Sequence, residues 1–243
     1  MVGPVSDGAD VQTASRERTG SRLTPCRPLL KWPGGKRSEL PLIAPRVPEH
    51  SRYFEPFFGG GSVYFDAIDA ESHANDLHPD LMEFYRCVKN DDERFFQHLY
   101  SIVEDWERAP LVGRDAIYYE CRERYNASAP TTVQRAADFF LLRELAYGGM
   151  FRVNANGRFN VPFGRAYAKN KNLREKVDHL RSEAVVAKCS ASICRLSTSP
   201  TSWTASSSAG TTSCSSIRRT THRSPSTTPS TSPNRTNGAW PRL

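Results

Sequence analysis

A glycine turn followed by a lone acid marks where this chain could do chemistry. The turn, Phe57-Phe58-Gly59-Gly60-Gly61-Ser62, follows Tyr53-Phe54-Glu55-Pro56. Glycines at such a turn let backbone approach a ligand and aim helix N–H groups at it. Asp76, in Asn75-Asp76-Leu77, ends the next apolar run. A carboxylate there can accept hydrogen bonds from ribose hydroxyls. Its competing role is an N-cap ahead of His78-Pro79. Upstream, Lys31-Trp32-Pro33-Gly34-Gly35-Lys36 combines an aromatic ring with two cations. Standing alone, that segment reads as a core Trp beside a solvated Lys in a Pro-Gly turn. Cys26, Cys87, Cys121, Cys189, Cys194 and Cys214 show no paired zinc spacing, so no metal is expected.

The elements that must hold these residues follow from pattern. Tyr53 to Phe57 reads as a buried strand, and Ser62 to Ile68 as the helix after the turn. His73 to Leu77 reads as the next strand and Asp80 to Val88 as its helix. That order opens a doubly wound α/β sheet. Apolar spacing then predicts helices in Phe95 to Trp106, Ile117 to Tyr125 and Ala136 to Tyr147. Met150 to Val161 alternates around Asn156-Gly157, a hairpin pattern. Asn172 to Arg181 reads as a further amphipathic helix.

Taken together and in order, the Lys31–Lys36, Phe54–Ser62 and Asn75–Leu77 segments resemble the cofactor half of the Dam-type (D12 class) DNA adenine-N6 methyltransferases. The resemblance covers about residues 27–183. It implies an α/β, Rossmann-like S-adenosylmethionine-dependent methyltransferase sheet over residues 25–183. A helical and hairpin target-recognition insertion would occupy about 91–163. The implied cofactor site comprises Trp32, Lys36, Phe57, Gly59, Gly61 and Asp76. Trp32 would pack on the sulfonium region and Lys36 would pair with the cofactor carboxylate. The family commonly has Ala where this chain has Pro33. Tyr147 to Asn154 and Phe159 to Gly164 look like the recognition hairpin and its exit, with Gly148-Gly149 where Asn-Gly is commoner. Arg152 is a candidate for a guanine edge or a phosphate, and Asn154 or Asn156 for polar base contacts. Asn156-Gly157 is equally needed just to turn the chain. A nicotinamide-dependent oxidoreductase, the other reading of a glycine turn, lacks its Gly-x-Gly spacing here.

The implied reaction is methyl transfer to the exocyclic N6 of adenine in double-stranded DNA, with the base flipped into a pocket. In the family an Asp-Pro-Pro-Tyr-like segment accepts hydrogen bonds from the amine and stacks on the base. No such segment occurs in these 243 residues. The texture changes instead. After Tyr167 there is no Phe or Tyr, and after Glu183 no Asp or Glu. Residues 184–243 form a Ser/Thr/Arg-rich tail, and from Cys189 onward Ser, Thr, Pro and Arg dominate, so disorder is expected there. We read this tail as out of frame, in preference to a natural Ser/Thr-rich tail. One codon choice for Thr211 to Thr221, read from the last base of Thr211, spells Asp-Phe-Val-Phe-Val-Asp-Pro-Pro-Tyr-Asp. Ile217, Arg218, Arg219 and Thr220 then stand in the family's catalytic positions, and none of these side chains replaces them.

Charge supports this division. The chain carries 33 basic and 26 acidic residues, a formal charge of +7. Lys188, Arg195, Arg218, Arg219, Arg223, Arg235 and Arg242 all follow Glu183. The part up to Glu183 is therefore neutral, and any DNA-binding face arises from local clustering. Residues 1–24 read as a disordered leader. No apolar run spans a membrane. Cytoplasmic location, a monomeric state and a cognate restriction endonuclease as partner complete the expectation.

Overall fold

A computed structural model describes residues 27–198 together with 213–214. The expected leader and the positions Ile217 to Thr220 lie outside the described residues. The fold is mixed α/β, built on a small parallel sheet and many helices.

Strand β1 (Arg52–Glu55) stops where Pro56 removes a backbone donor, two residues before the expected end. The glycine turn leads into helix α2 (Ser62–Ala67), and β2 (Glu71–Asn75) returns parallel to β1. Helix α3 (Pro79–Lys89) starts with Pro at its first position, where a missing N–H costs nothing. Its cap is His78, whose Nδ1 accepts from the Leu81 N–H. A short turn α1 (Leu40–Ile43) precedes β1.

The three expected helices follow as α4 (Glu93–Arg108), α5 (Arg114–Ala127) and α6 (Val133–Leu145). Asp92 caps α4 through the N–H groups of Arg94 and Phe95, and Thr132 caps α6. Helix α6 is buried along most of its length. Its Phe140 stacks on Phe84 of α3, with centroids 5.6 Å apart and planes 4° from parallel. This aromatic seam fixes the helical block against the back of the β1–β2 unit. Two further helices, α7 (Arg165–Lys169) and α8 (Leu173–Leu180), lead towards the tail.

One expectation holds in short form and another needs partial correction. The segment around Asn156-Gly157 turns as predicted, with Gly157 at φ 72°, but forms no extended ladder. One antiparallel bridge, Val153 to Phe159, stands beside the turn. Phe151 and Phe159 pack together at 5.3 Å, and Phe151 reaches Phe139 of α6 at 5.7 Å. The pairing is short, with the Asn154 N–H donating to the Arg158 carbonyl at 2.9 Å and the Asn160 N–H to the Arg152 carbonyl at 3.2 Å. The correction concerns the start of the tail: where disorder is expected from Cys189 onward, the described residues form the end of helix α9 (Glu183–Ser192) and strand β3 (Ile193–Ser197), while residues 199–212 and 215–243 lie outside the described residues. Val185, Cys189 and Ile193 are fully buried and recur at helical spacing, a stripe of small apolar residues that composition conceals. Strand β3 pairs with β2, and a two-residue β4 (Ser213–Cys214) pairs with β1. The sheet order is β3-β2-β1-β4, all parallel.

Candidate ligand-binding cleft

The carboxyl ends of β1 and β2 open onto a cleft of about 520 Å³. This is where an open parallel sheet offers room for a ligand. Its lining includes Trp32 to Lys36, Glu55 to Gly60, and Asp76 with Leu77. Five of the six residues singled out in the sequence therefore share one cavity: Trp32, Lys36, Phe57, Gly59 and Asp76. Gly61 does not line it. It turns the chain at φ 65° beneath the cleft, where a Cβ would stand 2.8 Å from the Phe58 ring and 2.9 Å from Phe65. Its glycine is required by the turn and by those two rings.

Asp76 ties the two strand ends together. Its Oδ2 accepts from the Gly59 N–H at 2.9 Å, and its Oδ1 accepts from the His78 N–H at 3.0 Å. The competing capping role falls to His78, so Asp76 is an anchor for the glycine turn. Each carboxylate oxygen keeps a further lone pair for a ligand donor.

Trp32 both packs on the aromatic core and lines the cleft. Its ring is half-buried against His78, Phe139 and Phe151, at centroid distances of 5.2, 5.9 and 6.3 Å. A Cβ at Gly59 would lie 2.9 Å from Trp32 Cδ1, so glycine lets the turn and the indole meet. Arg143 of α6 lies behind, its guanidinium 5.3 Å from the indole and bonded to the Lys31 carbonyl. Burial pushes Arg143 down to about 10. Burial also lowers the pKa of His78, against the pull of Asp80 and Asp76. Lys36 reaches the cleft with its ammonium 3.3 Å from Glu39. Phe57 is exposed at the mouth, as is Leu77 beside it.

Two groups at the strand ends escaped the sequence reading. Glu55 Oε2, in the cleft, is buried without a hydrogen-bond partner among the described residues, as is Asn75 Oδ1 at the end of β2, outside the lining. Burial, aided by the neighbouring Asp76, pushes the Glu55 carboxyl up to about 8 although Tyr53 donates to it. The only sequence signal was a charged residue inside an otherwise apolar strand.

The expected DNA contacts lie apart from this lining. Arg152 is exposed, with Nε donating to Asn160 Oδ1 at 3.0 Å. Asn154 Oδ1 accepts from the N–H groups of Asn156 and Arg158, both at 3.0 Å. Its acceptor is thus engaged in shaping the turn. Lys31 donates to the Tyr167 hydroxyl at 2.8 Å, which lowers the pKa of that exposed phenol. Among the described residues, no group of three or more His, Cys, Asp or Glu could hold a metal. No helix there is long and apolar enough to cross a membrane.

A parallel α/β sheet with a glycine turn and an acid at adjacent strand ends defines a nucleotide-type cleft. Comparison with known proteins narrows this class. Residues 32–194 match the family of D12 class N6 adenine-specific DNA methyltransferases, and the chain belongs to that family. It is similar to type II methyltransferase M.MjaIII of Methanocaldococcus jannaschii, 35% identical over 151 residues, covering 57% of this chain and 52% of that protein. M1.LlaDCHI of Lactococcus lactis subsp. cremoris is 31% identical over 151 residues, covering 62% and 51%. The DNA adenine methylase of Escherichia coli K12 is 34% identical over 139 residues, covering 57% and 48%. The chain spans about half the length of the curated relatives it matches.

Proposed function

We propose that the cleft binds S-adenosylmethionine and that the protein belongs to a site-specific enzyme methylating N6 of adenine in double-stranded DNA. The observation that carries this reading is the meeting of Trp32, Lys36, Phe57, Gly59 and Asp76 around one cavity. Their separate segments had no reason to converge if the glycine turn were only a turn. The residues suit the ligand chemically. Asp76 retains acceptor capacity for ribose hydroxyls, Lys36 offers a cation for a carboxylate, and Glu55 has an unpaired oxygen. When bound, the cofactor supplies an activated methyl group on a cationic sulfur.

The chain's own work is then positioning. Trp32, wedged on Gly59 and backed by α6, sets one wall, and the glycine turn anchored by Asp76 sets the floor. Holding donor and acceptor in register supplies much of such a rate enhancement. The sheet is read as Rossmann-like, with residues 91–163 as the target-recognition insertion and Arg152 and Asn154 on its DNA side. The relatives' names include both type II methyltransferases and adenine methylases. A cytoplasmic monomer acting beside a cognate restriction endonuclease is the corresponding proposal for this protein.

A second reading concerns the chain as written: it binds cofactor but does not turn over. The sequence holds no Asp-Pro-Pro-Tyr, and the family match ends at Cys194, inside the stretch where we place the frame change. Losing one preorganised polar group costs about a hundredfold to a thousandfold in rate. The test is transfer of labelled methyl groups to adenine-containing duplex DNA. A chain with the frame restored between Glu183 and Ser197 should turn over, and the chain as written should fall at least that far below it. Equal turnover overturns the second reading. Preference for NAD over S-adenosylmethionine in a binding assay overturns the first. The coding DNA settles the frame: it must contain an open frame spelling the missing segment opposite Ile217 to Thr220.

A further inference from the structure

We infer that Glu55 couples cofactor binding to proton release: its carboxyl is neutral in the empty cleft and ionises when the ligand's positive charge enters. The inference rests on the S-adenosylmethionine reading and concerns this chain's own carboxyl.

Geometry carries it. Glu55 ends β1 and lines the cleft beside Asp76. Its Oε2 is shut off from solvent and receives no hydrogen bond. A buried carboxylate oxygen with no donor is costly, and protonation is the ordinary escape. The groups facing it do not favour charge. Tyr53 on its own strand donates to it and favours the ionised form, whereas Asp76 beyond β2 repels. Tyr85 of α3 lies close enough that Glu55 helps raise its pKa. Lys36 lines the same cleft, but its ammonium is engaged by Glu39. Burial is the largest influence, and the carboxyl titrates near 8.

A cation in the cleft reverses this balance, because an opposite charge at close range favours the ionised form. S-adenosylmethionine carries two such charges, a sulfonium and an α-ammonium. The step is a simple exchange: the Glu55 O–H bond breaks, the electron pair stays on the carboxylate, and the proton passes to buffer. Below the empty-state pKa, binding must therefore become weaker as the solution is acidified.

The test is calorimetric titration of S-adenosylmethionine into the purified chain at about pH 6.5, in buffers of different ionisation enthalpy. At that pH the cofactor's own amine is already protonated. The expected result is release approaching one proton per ligand, with affinity falling about tenfold from pH 7 to pH 6. Glu55→Gln should bind without proton release and without that pH dependence. Glu55→Asp should regain part of both. S-adenosylhomocysteine keeps the ammonium and lacks the sulfonium. Proton release with both ligands assigns the ammonium as the trigger, and release with S-adenosylmethionine alone assigns the sulfonium. Binding by the native chain without proton release overturns the inference, whether or not the variants fold. Undiminished release by a folded Glu55→Gln overturns it too. Failure of either nucleoside to bind the native chain is a different outcome, which sinks the cofactor reading itself.

Discussion

Two pairs of carboxylates set the helical block apart from the cleft. In the helical block, Asp138 is fully buried and takes the Arg124 guanidinium on both oxygens, with His98 at 3.2 Å. Asp80 is equally enclosed, held by Arg135 Nε at 2.9 Å and by the Tyr125 hydroxyl at 2.5 Å. In the cleft, Asp76 bonds only to backbone N–H groups, and Glu55 leaves one oxygen unpaired. Among the described residues, no basic side chain is seen bonded to either. The two buried acids of the helical block are paired with basic and phenolic side chains, whereas the two acids of the cleft keep acceptor capacity open.

The sharpest way to break this contrast is to remove a saturated acid. Asp138→Ala strands Arg124 and should cost about 3–5 kcal/mol of stability, as breaking a buried pair does. Urea unfolding of the variant reads this directly, and a loss under about 1 kcal/mol would leave no energetic difference between the regions. Asp76→Ala, on the cleft side, should act mainly on ligand affinity. Loss of a charged acceptor is worth roughly 1.5–3 kcal/mol, which titration with S-adenosylmethionine measures. Unchanged affinity in a folded variant removes Asp76 from the site.

Glu55 gives a third, pH-dependent test without ligand. Its folded pKa, about 8, lies above the ordinary carboxyl value of 4.5, so folding favours the protonated form. That contribution is fully present below 4.5 and is lost as pH rises towards 8. Stability should fall with a slope of up to about 1.4 kcal/mol per pH unit in that window. Glu55→Gln should flatten the curve, and an identical slope in the variant would refute the assignment. The smallest effect is expected at the turn. Asn154→Ala removes the acceptor that bonds Asn156 and Arg158, at a cost of about 0.5–1.5 kcal/mol. Thermal unfolding suffices to detect it. A loss of DNA affinity with no loss of stability would instead make Asn154 a base contact.

How far the sequence revealed this molecule depends on how local each signal was. The β1–turn–α2–β2 order was readable because Pro56, the glycines and the apolar runs act over a few residues. Trp32 and Asp76 were readable as site candidates, although each has a second, structural job visible only in three dimensions. Glu55 was not readable, since its enclosure and the nearness of Asp76, reached later in the chain, are set by tertiary structure. The hairpin was readable because Asn156-Gly157 turns the chain locally, although it is short: one bridge and two flanking hydrogen bonds, with Phe151 and Phe159 packed together. Helix α9 was under-read because Val185, Cys189 and Ile193 make an apolar stripe without aromatic residues.

The pairing of β1 has a consequence for how the molecule is made. One neighbour, β2, emerges directly after the glycine turn; the other, β4, pairs Ser213 and Cys214 with Tyr53 and Phe54. Between them the ribosome must produce the whole helical block. Throughout that interval one side of β1 presents unsatisfied N–H and C=O groups, an invitation to pair with another nascent chain. Contacts so distant in sequence also close slowly. The open edge of β1 thus sets up a race between arrival of β4 and capture by a neighbouring chain. Lower temperature or slower expression should favour the strand.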